Sequence, residues 1–298
     1  MTKIVQCVPN FSEGRRVEVI EEITGAIKSV AGVTLLDYSH DESHNRSVVT
    51  FIGNPEGVIE AAFRGAKKAA EKIDMSNHSG GHPRMGATDV IPFIPLKGVT
   101  MEECIQMAEQ LGQRLADELN IPVYLYEEAA SKPERKNLSD VRRGQFEGLV
   151  ESIKEPDRKP DFGPAEVHPR AGVTAVGARP PLIAYNINLD TAEVSVAKNI
   201  ARAIRGSGGG FPTIKALGIM IEETGKAQVT INVCDFKQVP IYRIFEIVRS
   251  EAARYGIAVT DSEVIGLTPM DALVDAAEFY LQINKFDRGQ ILEKRLLE

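Results

Sequence analysis

The chain has 298 residues, 43% of them hydrophobic and 26% charged, which is enough apolar material for a sizeable core in two domains or one large one. Its 35 Lys and Arg stand against 42 Asp and Glu, a net charge of −7 that lacks the basic footprint of a nucleic-acid binder. Cys7, Cys104 and Cys234 lie far apart with no Cys-x-x-Cys pair and read as reduced thiols of a cytoplasmic protein. Pro9 and Asn10 arrive before a signal-peptide core could form, and no apolar run approaches the roughly 18 residues of a membrane span. A cytoplasmic protein with neither membrane nor nucleic-acid partner is expected.

Taken in order, Lys3–Val8 reads as a strand. Arg15–Ser29 follows as a helix, with Val17, Ile20, Ile23 and Ile27 at helical spacing. Val33–Asp37 and Ser47–Ile52 read as strands around a polar loop, Ser39–Arg46. Asn54-Pro55 opens a helix to about Lys72. Asp89–Leu96 reads as a strand in which Pro92 and Pro95 predict an edge position or a bulge. Thr100–Leu119 is a helix and Val123–Tyr126 a short strand. The second half repeats the alternation: strand Pro181–Leu189, helix Thr191–Arg205, hairpin Ala216–Glu222 with Gln228–Asp235, helix Ile241–Tyr255, strand Val259–Ile265 and helix Pro269–Ile283.

Each half therefore carries β-α-β-β-α-β, the ferredoxin-like unit, so the predicted class is α+β with mainly antiparallel sheets. The join falls between about 155 and 180, where the run Glu155–Pro164 is polar and rich in chain breakers. Phe162, Val167 and Gly172–Gly177 are unlike a bare tether. Subdomains over 1–178 and 179–298 are expected, with a ligand groove between them, because clefts between domains are preferred ligand sites.

Four of the five histidines form two His-x-x-x-His pairs, His40/His44 and His78/His82. On a helix this spacing aims two imidazoles at one metal, but Gly80, Gly81 and Pro83 deny the second pair a helix and the first lies in a loop. A loop-built metal site with Asp41 or Asp89 stays open, although no metal is expected. The stretch Asn77–Asp89 has glycines for close backbone approach, a proline bracing His82, and Arg84, whose planar fork matches a carboxylate. Histidine suits proton transfer near neutral pH. Catalysis and a plain surface loop both fit these residues. Arg46, Arg84 and Arg179 together are candidates to hold a dicarboxylate. Gly206–Gly210 lacks the Gly-Lys-Ser/Thr of a phosphate loop and reads as a helix-to-strand turn.

The motifs Cys7–Gly14, His44-Asn45-Arg46, Asp74-Met75-Ser76, His82-Pro83-Arg84-Met85-Gly86, Val123–Tyr126, Pro160–Pro164, Gly177-Ala178-Arg179 and Asn186–Leu189 keep the order in which they occur in the glutamate formiminotransferase family. The chain resembles that family through most of its length. The resemblance implies a folate-dependent enzyme of histidine degradation that moves a formimino group from N-formimino-L-glutamate to N5 of tetrahydrofolate, the co-substrate, as a homodimer. From the 298 residues the monofunctional form, without a cyclodeaminase portion, is expected.

The family's catalytic histidine falls on His82. Asn10, Asp41, His44, Asn45, Arg46, Arg84 and Arg179 are expected to bind substrate. Ser39 stands where a relative carries aspartate, so Asp41 is the nearest candidate carboxylate. The folate segment falls on Gly163, Pro164, Pro169 and Gly172, with His168 and Arg170 as further expected contacts. Formyl transfer between 5-formyltetrahydrofolate and glutamate is the alternative at the same site, and metal-assisted amide or amidine hydrolysis a more distant one.

Overall fold

A computed structural model describes residues 3–297. The chain forms two compact units, one up to Pro180 and one from Pro181.

In the first unit the strands are β1 (Ile4–Cys7), β2 (Asn10–Phe11), β3 (Val33–Asp41), β4 (Arg46–Gly53), β5 (Thr88–Lys97), β6 (Val123–Glu127) and β7 (Thr174–Ala178). Its helices are α1 (Val17–Lys28), α2 (Pro55–Lys72), α3 (Met101–Leu119), α4 (Leu138–Val141) and α5 (Gln145–Ser152). Local chemistry sets the helix ends. Asn54 accepts from the Gly57 amide at 2.7 Å ahead of Pro55, and Thr100 and Glu103 cap α3 reciprocally. Helix α1 buries Val19, Ile20, Ile23 and Ile27, and α3 buries Leu111 and Leu115, against the sheet.

The first sheet is mainly antiparallel, as expected, with a parallel portion at one side that the sequence reading did not include. Strands β3 and β4 pair antiparallel, and β1 and β2 act as one interrupted strand between β4 and β5. Beyond β5 the sheet continues in parallel through β7 to β6. Strand β5 is therefore central rather than an edge. A bulge does occur at its end, where Val5 faces Pro95 but Ile4 faces Lys97. Strand β7 lies inside the stretch read as the join: all five of its residues are buried and pair with β6, and Ala175–Ala178 also pair with β5, so this strand belongs to the first unit's core. The loop expected over Ser39–Arg46 is also shorter, because β3 runs on to Asp41.

The second unit comprises β8 (Ile183–Leu189), α6 (Val194–Ile204), β9 (Ile214–Ile221), β10 (Lys226–Val233), α7 (Ile241–Ala253), β11 (Val259–Ile265), α8 (Met270–Leu281) and α9 (Leu292–Leu297). Its antiparallel sheet has the order β11-β8-β10-β9. Ile183, Tyr185, Ile187 and Leu189 alternate into a core shared with α6 and α7. The β9–β10 hairpin turns at Gly225, whose φ of +64° suits glycine.

Candidate active site

The first unit brings His44, Asn45, Arg46, His78, His82, Arg84 and Asp89 to one cleft, with Phe11 and Ser12 at its floor. Three backbone segments build it. The Cys7–Gly14 segment passes beneath the β3–β4 hairpin, where Gly14 is so tightly packed that a β-carbon would come 2.1 Å from the Asp41 carbonyl oxygen. The Gly14 amide donates to the Asn45 side chain at 2.9 Å, and Asn45, at φ +49°, donates to the Ser79 carbonyl at 2.9 Å. The hairpin tip thereby anchors the loop that carries His82.

The four histidines of the two His-x-x-x-His pairs have separate partners. His40 bonds the Gly14 carbonyl at 3.0 Å. His78 donates from Nε2 to the Asn45 carbonyl at 3.1 Å and accepts at Nδ1 from Arg84 at 3.2 Å, which fixes a neutral tautomer. Among the described residues no group of three or more His, Cys, Asp or Glu is arranged to hold a metal ion.

His82 is half-buried and meets His44 edge to face. Burial, and then the positive charges of Arg46 and Arg142, push its pKa down to about 3. The imidazole is neutral at physiological pH. Asp41 does not reach it; that carboxylate accepts from the His44 amide at 2.7 Å and pairs with the His44 ring at 3.1 Å.

The arginines divide into different roles. All five N–H donors of Arg84 have protein partners: His78 Nδ1 and carbonyl, Gln145, and both oxygens of Glu147 at 2.9 and 2.6 Å. Buried to 8% exposure, Arg84 braces the loop onto α5 in this structure. Arg46 donates to Asn10, and its Nε is buried without a partner. Burial and the nearby Arg142 hold the Arg46 pKa down to about 10.

Arg142 had no sequence signal. It lies just after α4, in a stretch with no recognised motif, yet its guanidinium pairs with buried Asp89 and leaves its own Nε buried without a partner. Asp89 in turn accepts from the Met85 amide at 2.9 Å, tying Arg142 to the base of the His82 loop.

Comparison with known proteins gives the chain a family. The N-terminal subdomain of the formiminotransferase domain matches residues 4–179, and the formiminotransferase domain matches residues 184–296. The chain belongs to the formiminotransferase family.

It is 54% identical to a glutamate formimidoyltransferase of Streptococcus pyogenes serotype M1, over 100% of each chain. It is 49% identical to one of Thermoplasma acidophilum, over 98% of this chain and 97% of the relative. A mouse formimidoyltransferase-cyclodeaminase is 47% identical over 96% of this chain but only 54% of its own length.

Of the residues expected of the family's folate segment, those near Arg170–Gly172 attach to the stretch that carries His82. Gly172, at φ +71°, lies where a β-carbon would come 2.3 Å from the Met85 carbonyl oxygen. The Arg170 carbonyl accepts from Met75 at 2.8 Å, and the Ala171 carbonyl accepts from Ala87 at 2.8 Å. His168 accepts at Nδ1 from the amides of Arg170 and Ala171, closing this turn on itself. Gly163, at φ +84°, packs on Ile121 and Pro122. Pro169 and Arg170 are exposed and Pro164 is partly so. Arg179 is apart from the cleft: its side chain donates to the Pro180 carbonyl at 3.0 Å and its charge acts on Cys7 and Tyr126.

Proposed function

We propose that the chain transfers the formimino group of N-formimino-L-glutamate to N5 of tetrahydrofolate, releasing L-glutamate, as a step of histidine degradation. The observation that carries this reading is a half-buried neutral histidine beside guanidinium donors without partners, in a formiminotransferase chain.

Moving an amidine carbon between two nitrogens needs a base for the incoming N–H and an acid for the departing nitrogen, since an unprotonated amine leaves poorly. We assign both roles to His82. With its pKa near 3 the free imidazole is a weak base, but a carboxylate bound at the neighbouring guanidiniums cancels charge that depresses it. Substrate binding thus moves His82 toward the range in which it both takes and returns a proton. Arg46 is the group assigned to grip substrate, and Asn10, which accepts from it, holds it in place. His44 walls one side of His82, while Asn45 fixes the hairpin tip. Arg84 could take a second substrate carboxylate only by exchanging Glu147, whose side chain is 63% exposed. Arg179 and Asp41 remain assigned to substrate by resemblance alone.

Tetrahydrofolate is assigned to the segment carrying Gly163, Pro164, His168, Pro169, Arg170 and Gly172. Its fixed attachment to Met75, Met85 and Ala87 supports that choice, because a ligand held there stays in register with His82. No metal is assigned to the reaction. Subdomains over 1–178 and 179–298 and a cytoplasmic homodimer complete the proposal. Apolar side chains exposed on α8, such as Leu273 at 48% and Leu281 at 70%, support the dimer. Among the described residues no helix is long and apolar enough to cross a membrane.

The deciding experiment runs two assays side by side, one with formiminoglutamate plus tetrahydrofolate and one with 5-formyltetrahydrofolate plus glutamate. Turnover with the first pair is expected. Turnover with the second pair alone would replace this reading by formyl transfer.

A further inference from the structure

Arg46 and the buried Asp89 line the cleft with His82, and Arg142 reaches that cleft through its pairing with Asp89, so that both positive charges act on His82. Asp89 bonds Arg142, whereas the protein partner of Arg46 is a neutral amide oxygen. One cation is therefore left without a hydrogen-bonded anion. The Nε of each guanidinium is also buried without an acceptor, a costly arrangement unless a ligand supplies one. Arg84, by contrast, has every donor engaged and its charge answered by Glu147.

We propose that Arg46 and Arg142 form the subsite for the α-carboxylate of the amino-acid substrate, and that Arg84 is not part of it. This rests on the functional reading above for the identity of the amino acid. The choice between its two carboxylates follows from bonding. The departing nitrogen must lie at His82, and the α-carboxylate carbon is two bonds from that nitrogen, so it falls beside His82. The side-chain carboxylate reaches further away. A planar guanidinium offers two parallel N–H bonds to such a group, which lysine cannot reproduce.

The test is direct binding to the full-length chain by calorimetry, with L-glutamate and 4-aminobutanoate, which is glutamate without its α-carboxylate. The unaltered chain is expected to bind L-glutamate more tightly. Arg142→Met should weaken L-glutamate by about 10- to 100-fold, the range of a lost charge-assisted hydrogen bond, and leave 4-aminobutanoate nearly unchanged. Arg142→Lys keeps Asp89 paired and should fall between. The exposed neighbour Arg143, substituted as Arg143→Ala, serves as the unaffected control. If Arg142→Met does not fold, Arg142→Lys decides alone.

L-glutamate binding within about twofold of the unaltered chain in the folded variants overturns the subsite. So does equal affinity of the unaltered chain for the two probes. Because binding is read without turnover, loss of the functional reading shows separately: no formimino transfer by the unaltered chain, with glutamate binding still dependent on Arg142.

Discussion

The rings of His82 and His44 meet edge to face with centroids 6.3 Å apart, so the tip of the β3–β4 hairpin forms one wall for the proposed acid–base. His82→Ala is expected to lower turnover by about 100- to 10,000-fold while tetrahydrofolate affinity stays roughly unchanged. His44→Ala, which removes the wall but not the proton carrier, should cost clearly less. Steady-state kinetics beside a folate titration check both.

The depressed pKa of His82 makes two pH effects testable. In kcat/KM, which reports free protein, the limb due to His82 should lie below the usual imidazole value of 6.5, and Arg142→Met should move it up. For stability, the unfolded chain binds this proton below about pH 6.5 and the folded chain only near 3. Stability should therefore fall as pH drops from 6.5 toward 3, and His82→Gln should remove that part of the fall. Denaturant titrations across this range measure it.

Gly80 and Gly81 separate packing from flexibility. A β-carbon on Gly80 would come 2.3 Å from the His44 carbonyl oxygen, while one on Gly81 would have its nearest neighbour at 3.7 Å. Gly80→Ala should push the His82 loop off the hairpin and cut turnover at least about tenfold, on the scale by which small misplacements slow catalysis. Gly81→Ala should stay near wild type.

Arg158 acts at one remove. Its guanidinium donates to the carbonyls of Asp140, Val141 and Arg143 at 3.0 to 3.2 Å, at the end of α4 that delivers Arg142. Arg158→Met should raise the KM for the amino acid more than it lowers kcat, and destabilise the fold by about 1–3 kcal/mol. Arg158→Lys should restore part of both. Kinetics and denaturation on the same samples distinguish positioning from general loosening.

The long amphipathic helices, the β9–β10 hairpin and the loop carrying His82 were legible from the residues because periodicity, turn residues and the Gly-Gly-His-Pro run are local signals. Other features were not local. Strand β7 is five small or branched residues whose burial depends on partners just over fifty residues away in β6. The prolines of β5 suggested an edge, yet Pro92 faces Gly177 within a parallel pair inside the sheet. Arg142 reads as one basic residue in a charged stretch until Asp89 gives it a place. Arg84 shows the converse limit: its fork fits a carboxylate as expected, and the chain supplies that carboxylate itself through Glu147.

The late position of β7 also constrains how the first unit is made. Among the described residues β6 has its ladder partner only in β7, apart from one bridge between Val123 and Phe162, and the free edge of β5 waits for the same segment. A nascent chain that has emerged only through Tyr126 or Ile153 thus exposes two apolar strand edges with nothing yet to close them. Closure comes as the five-residue wedge threads between them, so the loop carrying His82, which is fastened to Ala171 and Val173 just ahead of that wedge, takes its final form among the last parts of the unit.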